Sequence, residues 1–142
     1  MKQVLAVLTL LAGLAGMIAS PQALAAQSGK YHVVIQVSDS DPGKWNLALN
    51  NAQNLQQALG KDNVEVEIVA YGPGLKMLLA GSKVAGRVNG AMDASVDIVA
   101  CGNTMKKMKK TTADLIGGSR VVPGGVIEIA DKQRAGWTYI RP

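Results

Sequence analysis

The chain has 142 residues and a net charge of +5; 48% of its residues are hydrophobic, 4% are aromatic, and it has no Phe. Modest positive charge without a stripe of basic and aromatic residues argues against nucleic-acid binding, and a single Cys excludes an internal disulfide. The core must come from Val, Ile, Leu, Ala and Met, and the lone thiol is free, modified or bridged to a partner.

Residues 1–25 read as a secretory signal peptide. Lys2 gives the positive start, residues 4–18 are apolar, and Ala23-Leu24-Ala25 follows the helix-breaking Ser20-Pro21 as a cleavage site. The rival reading is an uncleaved anchor, but the apolar run is short for a span. The expected product is one domain, residues 26–142, secreted across the inner membrane to the periplasm, with no stable membrane anchor. That length suffices to bury a core unaided.

Residues 30–38 are β-branched and nearly continuously apolar, so they predict a strand covered on both faces. Asp41-Pro42 then caps a helix in which Ala48, Ala52, Leu55 and Leu59 fall at helical spacing, and Gly60 ends it. Residues 64–71 alternate at first, with Glu65 and Glu67 on a polar face, and predict a second strand stopped by Gly72-Pro73-Gly74. One or two short helices follow, broken by Gly81 and Gly86. Residues 96–100 predict the third strand, leading into Cys101.

Met105, Met108 and Leu115 trace an apolar stripe on the next helix, with Thr111-Thr112 allowing a kink or a second short helix. Residues 120–122 predict a fourth strand. After Pro123-Gly124-Gly125, Val126, Ile129, Ala130 and Gln133 have a helical period, and residues 136–140 form the last strand. Strands alternating with helices across short Gly-rich turns predict an α/β fold. The expected domain is single and three-layered, with about five mainly parallel strands flanked by helices, in the flavodoxin or Rossmann manner.

Ligands of such sheets collect outside the carboxyl ends of the strands. Cys101 is the strong nucleophile there. Gly102 permits close approach to the backbone, and Asn103 or Thr104 can cap the helix and aim amides at the sulfur, favouring the thiolate. Lys106 and Lys107 would attract an anion, and Gly124 with Gly125 opens on the same edge. Against this stands the ordinary behaviour of free cysteine as a small buried hydrophobe. His32, the only histidine, lies at the opposite end of the sheet, so neither a Cys–His pair nor a metal cluster is expected. No cofactor is expected either. The glycine turns match no dinucleotide or phosphate loop, and Asp39-Ser40-Asp41 would repel a flavin phosphate.

Three stretches resemble one family. Cys101-Gly102-Asn103-Thr104-Met105, then residues 121–129 from Val121-Val122-Pro123-Gly124-Gly125, then residues 133–142 through Gly136-Trp137-Thr138-Tyr139 are similar to the DsrE/DsrF-like family. The resemblance implies a five-stranded parallel sheet assembled into trimers or hexamers. It also implies that Cys101 carries a persulfide in a sulfur relay, as a sulfurtransferase would. The signal peptide departs from the family's cytoplasmic relays. Implied partners are other copies of the chain and a small sulfur-containing anion or an acceptor thiol protein. The alternative is a non-enzymatic oligomeric module that binds a small anion.

Overall fold

The computed structural model describes residues 29–142, so the expected signal peptide lies outside the described residues. Strands β1 (Tyr31–Val37), β2 (Val64–Ala70), β3 (Asp97–Cys101), β4 (Arg120–Val122) and β5 (Thr138–Ile140) form one parallel sheet in the order β4-β3-β2-β1-β5. The helices are α1 (Pro42–Leu59), α2 (Ala85–Asp93), α3 (Gly102–Lys107) and α4 (Gly125–Arg134), with 3-10 stretches at Gly72–Leu78 and Thr112–Asp114. No helix among the described residues is long and apolar enough to cross a membrane.

Local chemistry sets the ends of α1. The Asp41 carboxylate accepts from the Gly43 N–H at 2.8 Å with Pro42 in the first turn, and Gly60 stops the helix at φ 88°.

Strand alternation divides the interior in two. Val33, Ile35, Val66, Ile68 and Ile98 pack against Trp45 and Leu49 of α1, Val88 of α2 and Met105 of α3. On the opposite face Val34, Val69, Val99 and Val122 meet Ile129 of α4. The three layers are therefore unequal, with three helices on one face and α4 alone on the other. Strand order explains this. From β1 to β4 the chain steps in one direction, and only the connection from β4 to β5 returns across the sheet, carrying α4 over the other side.

The structure corrects three local expectations. Gly86 lies inside the first turn of α2 and does not break it. Leu115 follows the Thr112–Asp114 turn, because α3 already ends at Lys107. Val126, expected to point inward, is 58% exposed, and Ile129 is the large α4 side chain that enters the core.

Glu67 is a fourth departure. Alternation in β2 suggested a solvated polar face, yet Glu67 is 1% exposed because α4 covers it. Its Oε2 receives Lys132 Nζ at 2.7 Å and Arg120 Nη2 at 3.0 Å, while Oε1 has no partner among the described residues. Arg120 Nη2 also reaches Asp97 Oδ2 at 2.7 Å and Glu128 Oε1 at 3.1 Å, so the network joins α4 to three strands. Burial, aided by Glu128 and opposed by Lys132 and Arg120, leaves the Glu67 carboxyl pushed up to about 7.

The folded state thus keeps a proton that the unfolded chain releases above about pH 4.5, and ionised Glu67 costs stability increasingly up to about pH 7. In Glu67→Gln this dependence is absent. The wild-type thermal midpoint should fall relative to the variant from pH 4.5 to 7, by the equivalent of roughly 3 kcal/mol at most. Parallel midpoint curves for the two proteins would contradict this.

Candidate functional site

Cys101 is both the last residue of β3 and the cap residue of α3, with extended backbone at φ −77°, ψ 112°. Alternation with Ala100 turns its side chain to the α4 face, in register with Val122 of β4. Tyr71, one residue past β2, continues the row on the other side, since Ala70 is in register with Ala100.

Two helices start against this thiol, and glycine allows both approaches. A Cβ on Gly125 would sit 3.1 Å from Tyr71 Cβ and 3.2 Å from both Cys101 Cβ and Val69 Cγ1. One on Gly102 would lie 3.0 Å from the Val122 carbonyl oxygen. The Asn103 N–H donates to Pro123 O at 3.0 Å and ties the two helix starts together. Gly124 packs beside them, its place for a Cβ 3.5 Å from Asn103 Nδ2.

Thr104 does not cap α3 with its side chain, contrary to the expectation for it or Asn103. Its Oγ1 instead accepts from the Gly72 N–H at 2.9 Å. With that lone pair engaged, the hydroxyl proton is available to the sulfur. Cys101 is 5% exposed, and burial by itself pushes its thiol up. The Thr104 hydroxyl opposes this, followed by the backbone N–H groups of Gly125, Thr104 and Asn103. The net result is a thiol held below its ordinary value. Cys101 is therefore buried yet faced by donors, and its thiol ionises more readily than an ordinary one.

Lys106 and Lys107 are exposed in the last turn of α3, and none of the leading influences on Cys101 comes from either. His32 sits far along β1, with Nδ1 3.2 Å from Glu65 Oε2 and its ring 5.1 Å from that of Trp137. Among the described residues no three His, Cys, Asp or Glu side chains gather as a metal site requires.

A polar band beside the thiol escaped the sequence reading. Burial raises the Tyr71 phenol, Tyr139 and Asp39 add to this, and Arg141 and a hydrogen bond with Ser38 oppose it. Gln36 Nε2 donates to Ser38 Oγ at 3.1 Å, and its Oε1 accepts from the Tyr139 hydroxyl. The signal was present, because Tyr71 continues the alternation of Glu67 and Val69 toward the α4 face. On α4, Val126 and Ile127 are exposed apolar side chains, at 58% and 64% exposure.

The profile of the DsrE/DsrF-like family matches residues 30–142. Among solved structures, MTH1491 of Methanobacterium thermoautotrophicum, a protein of unknown function, is 34% identical. It superposes with a TM-score of 0.76 over 80% of this chain and 100% of that one. The ychN protein from E. coli has the same fold at 15% identity, with a TM-score of 0.64 over 80% of this chain and 99% of that one. A conserved protein of unknown function from Bacteroides thetaiotaomicron, BT1422, does so at 13% identity and a TM-score of 0.64, over 78% and 94%. No curated protein matches the chain.

Removing the hydroxyl donor should raise the thiol. Thr104→Val is expected to move the pH midpoint of Cys101 alkylation upward, while Thr104→Ser, which keeps the hydroxyl, stays near wild type. A Thr104→Val midpoint unchanged from wild type would remove Thr104 from the site.

Proposed function

The chain belongs to the DsrE/DsrF-like family, and from that premise we propose that Cys101 accepts and passes on sulfane sulfur as a persulfide. The observation that carries this reading is the convergence of donors from two helix starts on one thiol. A thiolate so held attacks the outer sulfur of a donor such as thiosulfate or a polysulfide. The donor's S–S bond breaks, sulfite or a shorter polysulfide leaves with the electron pair, and a new S–S bond forms at Cys101. An acceptor thiolate then attacks the terminal sulfur, and Cys101 departs as thiolate. Sulfur moves without any net oxidant.

Each neighbour has a part in this scheme. The Thr104 hydroxyl and the amides of Thr104, Gly125 and Asn103 stabilise negative charge on the sulfur before attack and after departure. Gly102 lets the start of α3 lie against the Val122 carbonyl, and Gly124 packs beside Asn103 and Ile127. Lys106 and Lys107 act only at a distance, as exposed charge that draws anions to this edge.

The reaction is assigned to the periplasm on the pattern of residues 1–25, so donor and acceptor belong outside the cytosol. The working form is a trimer or hexamer of the chain itself, for which the exposed Val126 and Ile127 of α4 offer apolar surface. A second reading, an oligomeric module that binds a small anion without turning it over, is favoured by the 5% exposure of Cys101.

Mass spectrometry after treatment with thiosulfate or polysulfide separates the two. The wild type should gain the mass of one sulfur at Cys101, lose it to added thiol, and Cys101→Ser should gain nothing. If the native thiol is alkylated readily but never acquires sulfur, the carrier role fails. Anion binding retained by Cys101→Ser would then favour the second reading.

A further inference from the structure

A cleft of about 790 Å³ opens on the face of the sheet away from Cys101. The start of α1, the turn between Gly72–Leu78 and α2, and the end of α3 with the turn after it form its walls. It lies at the edge where the carboxyl ends of the strands meet solvent, the usual place for ligands in this architecture. Its volume is that of a small-molecule site.

The walls carry two kinds of chemistry. Leu79 and Met108 present apolar surface with the edge of the buried Trp45 between the walls, and Lys76, Lys83 and Lys110 bring three ammonium groups. Lys110 is matched by Asp114, Nζ to Oδ1 at 3.3 Å. Lys76 and Lys83 have no carboxylate in salt-bridge reach among the described residues. The cleft therefore keeps two unmatched positive charges beside an apolar wall.

The site is also braced before any ligand arrives. Ala80 N–H donates to Asp114 O at 2.9 Å and Ile116 N–H to Leu78 O at 2.8 Å, stitching two of its walls together around the Leu79–Leu115 bridge. Trp45 is fixed by its indole N–H, which donates to Asp39 O at 2.7 Å. Asp114 is held by Thr111, whose N–H reaches Oδ2 at 2.8 Å. Walls held in this way lose little freedom when a ligand enters.

We propose that this cleft binds a small organic anion with an apolar, ring-sized body and one acidic head. The body covers Leu79, Met108 and the exposed edge of Trp45, and the head lies between Lys76 and Lys83. A bare inorganic anion would leave the apolar wall wet, and a neutral hydrocarbon would leave the charges unmatched. Either fragment alone binds more weakly than the two joined. The inference is independent of the sulfur chemistry at Cys101, which faces the other side of the sheet.

Titrating the folded, isotope-labelled protein with naphthalene-1-sulfonate and following its backbone amides by NMR tests this. Saturable shifts are expected around Leu79 to Lys83 and Met108 to Asp114. Inorganic sulfate and naphthalene should each bind at least about tenfold more weakly. Joint Lys76→Glu and Lys83→Glu substitution, both at exposed positions, should reduce affinity by about fivefold or more. Shifts confined to Val126 and Ile127 on α4, affinity unchanged by the double charge reversal, sulfate binding as tight as the sulfonate, or no saturable shift would each overturn the proposal.

Discussion

The first turn of α4 comes so close to the end of β3 that any side chain at position 125 would press on Tyr71, Cys101 and Val69 at 3.1 to 3.2 Å, and the chemistry of Cys101 depends on that approach. Proximity has two opposed effects on the sulfur. It removes water, which favours the neutral thiol, and it delivers the Gly125 N–H, which favours the anion. The Thr104 hydroxyl and the starts of two helices tip the balance toward charge. A thiol equally buried but deprived of these donors would shift the other way, so the sign of the effect rests on how α4 is seated.

That seat is not mainly hydrophobic. The buried residues of α4 are Gly125 and Ile129, whereas α1 buries Trp45, Ala48, Leu49, Ala52 and Gln56. What else holds α4 is polar. Lys132 meets Glu67 at 2.7 Å and lies 3.9 Å from the Trp137 ring centre, while Glu128 reaches Arg120 at 3.1 Å. Burying a carboxylate is expensive even when it is paired, so such a network is a weak source of stability. It is better suited to fixing where the helix sits, because displaced charges would lose their partners. The same helix leaves Val126 and Ile127 in solvent beside the thiol, an apolar margin that a neighbouring chain could cover.

Much of this was legible in the residues, and the rest failed for one reason. Strand alternation, the Asp41-Pro42 cap and the Gly60 stop are local signals, and each led to the right element. The position of Cys101 at a strand end followed from them. Which face each helix takes is set by strand order, which no local pattern contains. Glu67 therefore read as solvated although α4 covers it, and Val126 read as inward although α4 has little to pack against. Thr104 was recognised as a site residue but given a capping role. Its bond to Gly72 joins α3 to the start of the Gly72–Leu78 stretch, which only the folded sheet brings together. Lys106 and Lys107 are neighbours of Cys101 in sequence, yet the helix carries their charges away from it.

The state of one sulfur atom decides between a reactive thiol and a packed one. Following the Cβ resonance of Cys101 by carbon NMR across a pH titration reads that state directly. The expected result is a single ionisation with its midpoint below that of free cysteine. A midpoint at or above that of free cysteine would mean that burial outweighs the amides and the hydroxyl, and that Cys101 is a core residue.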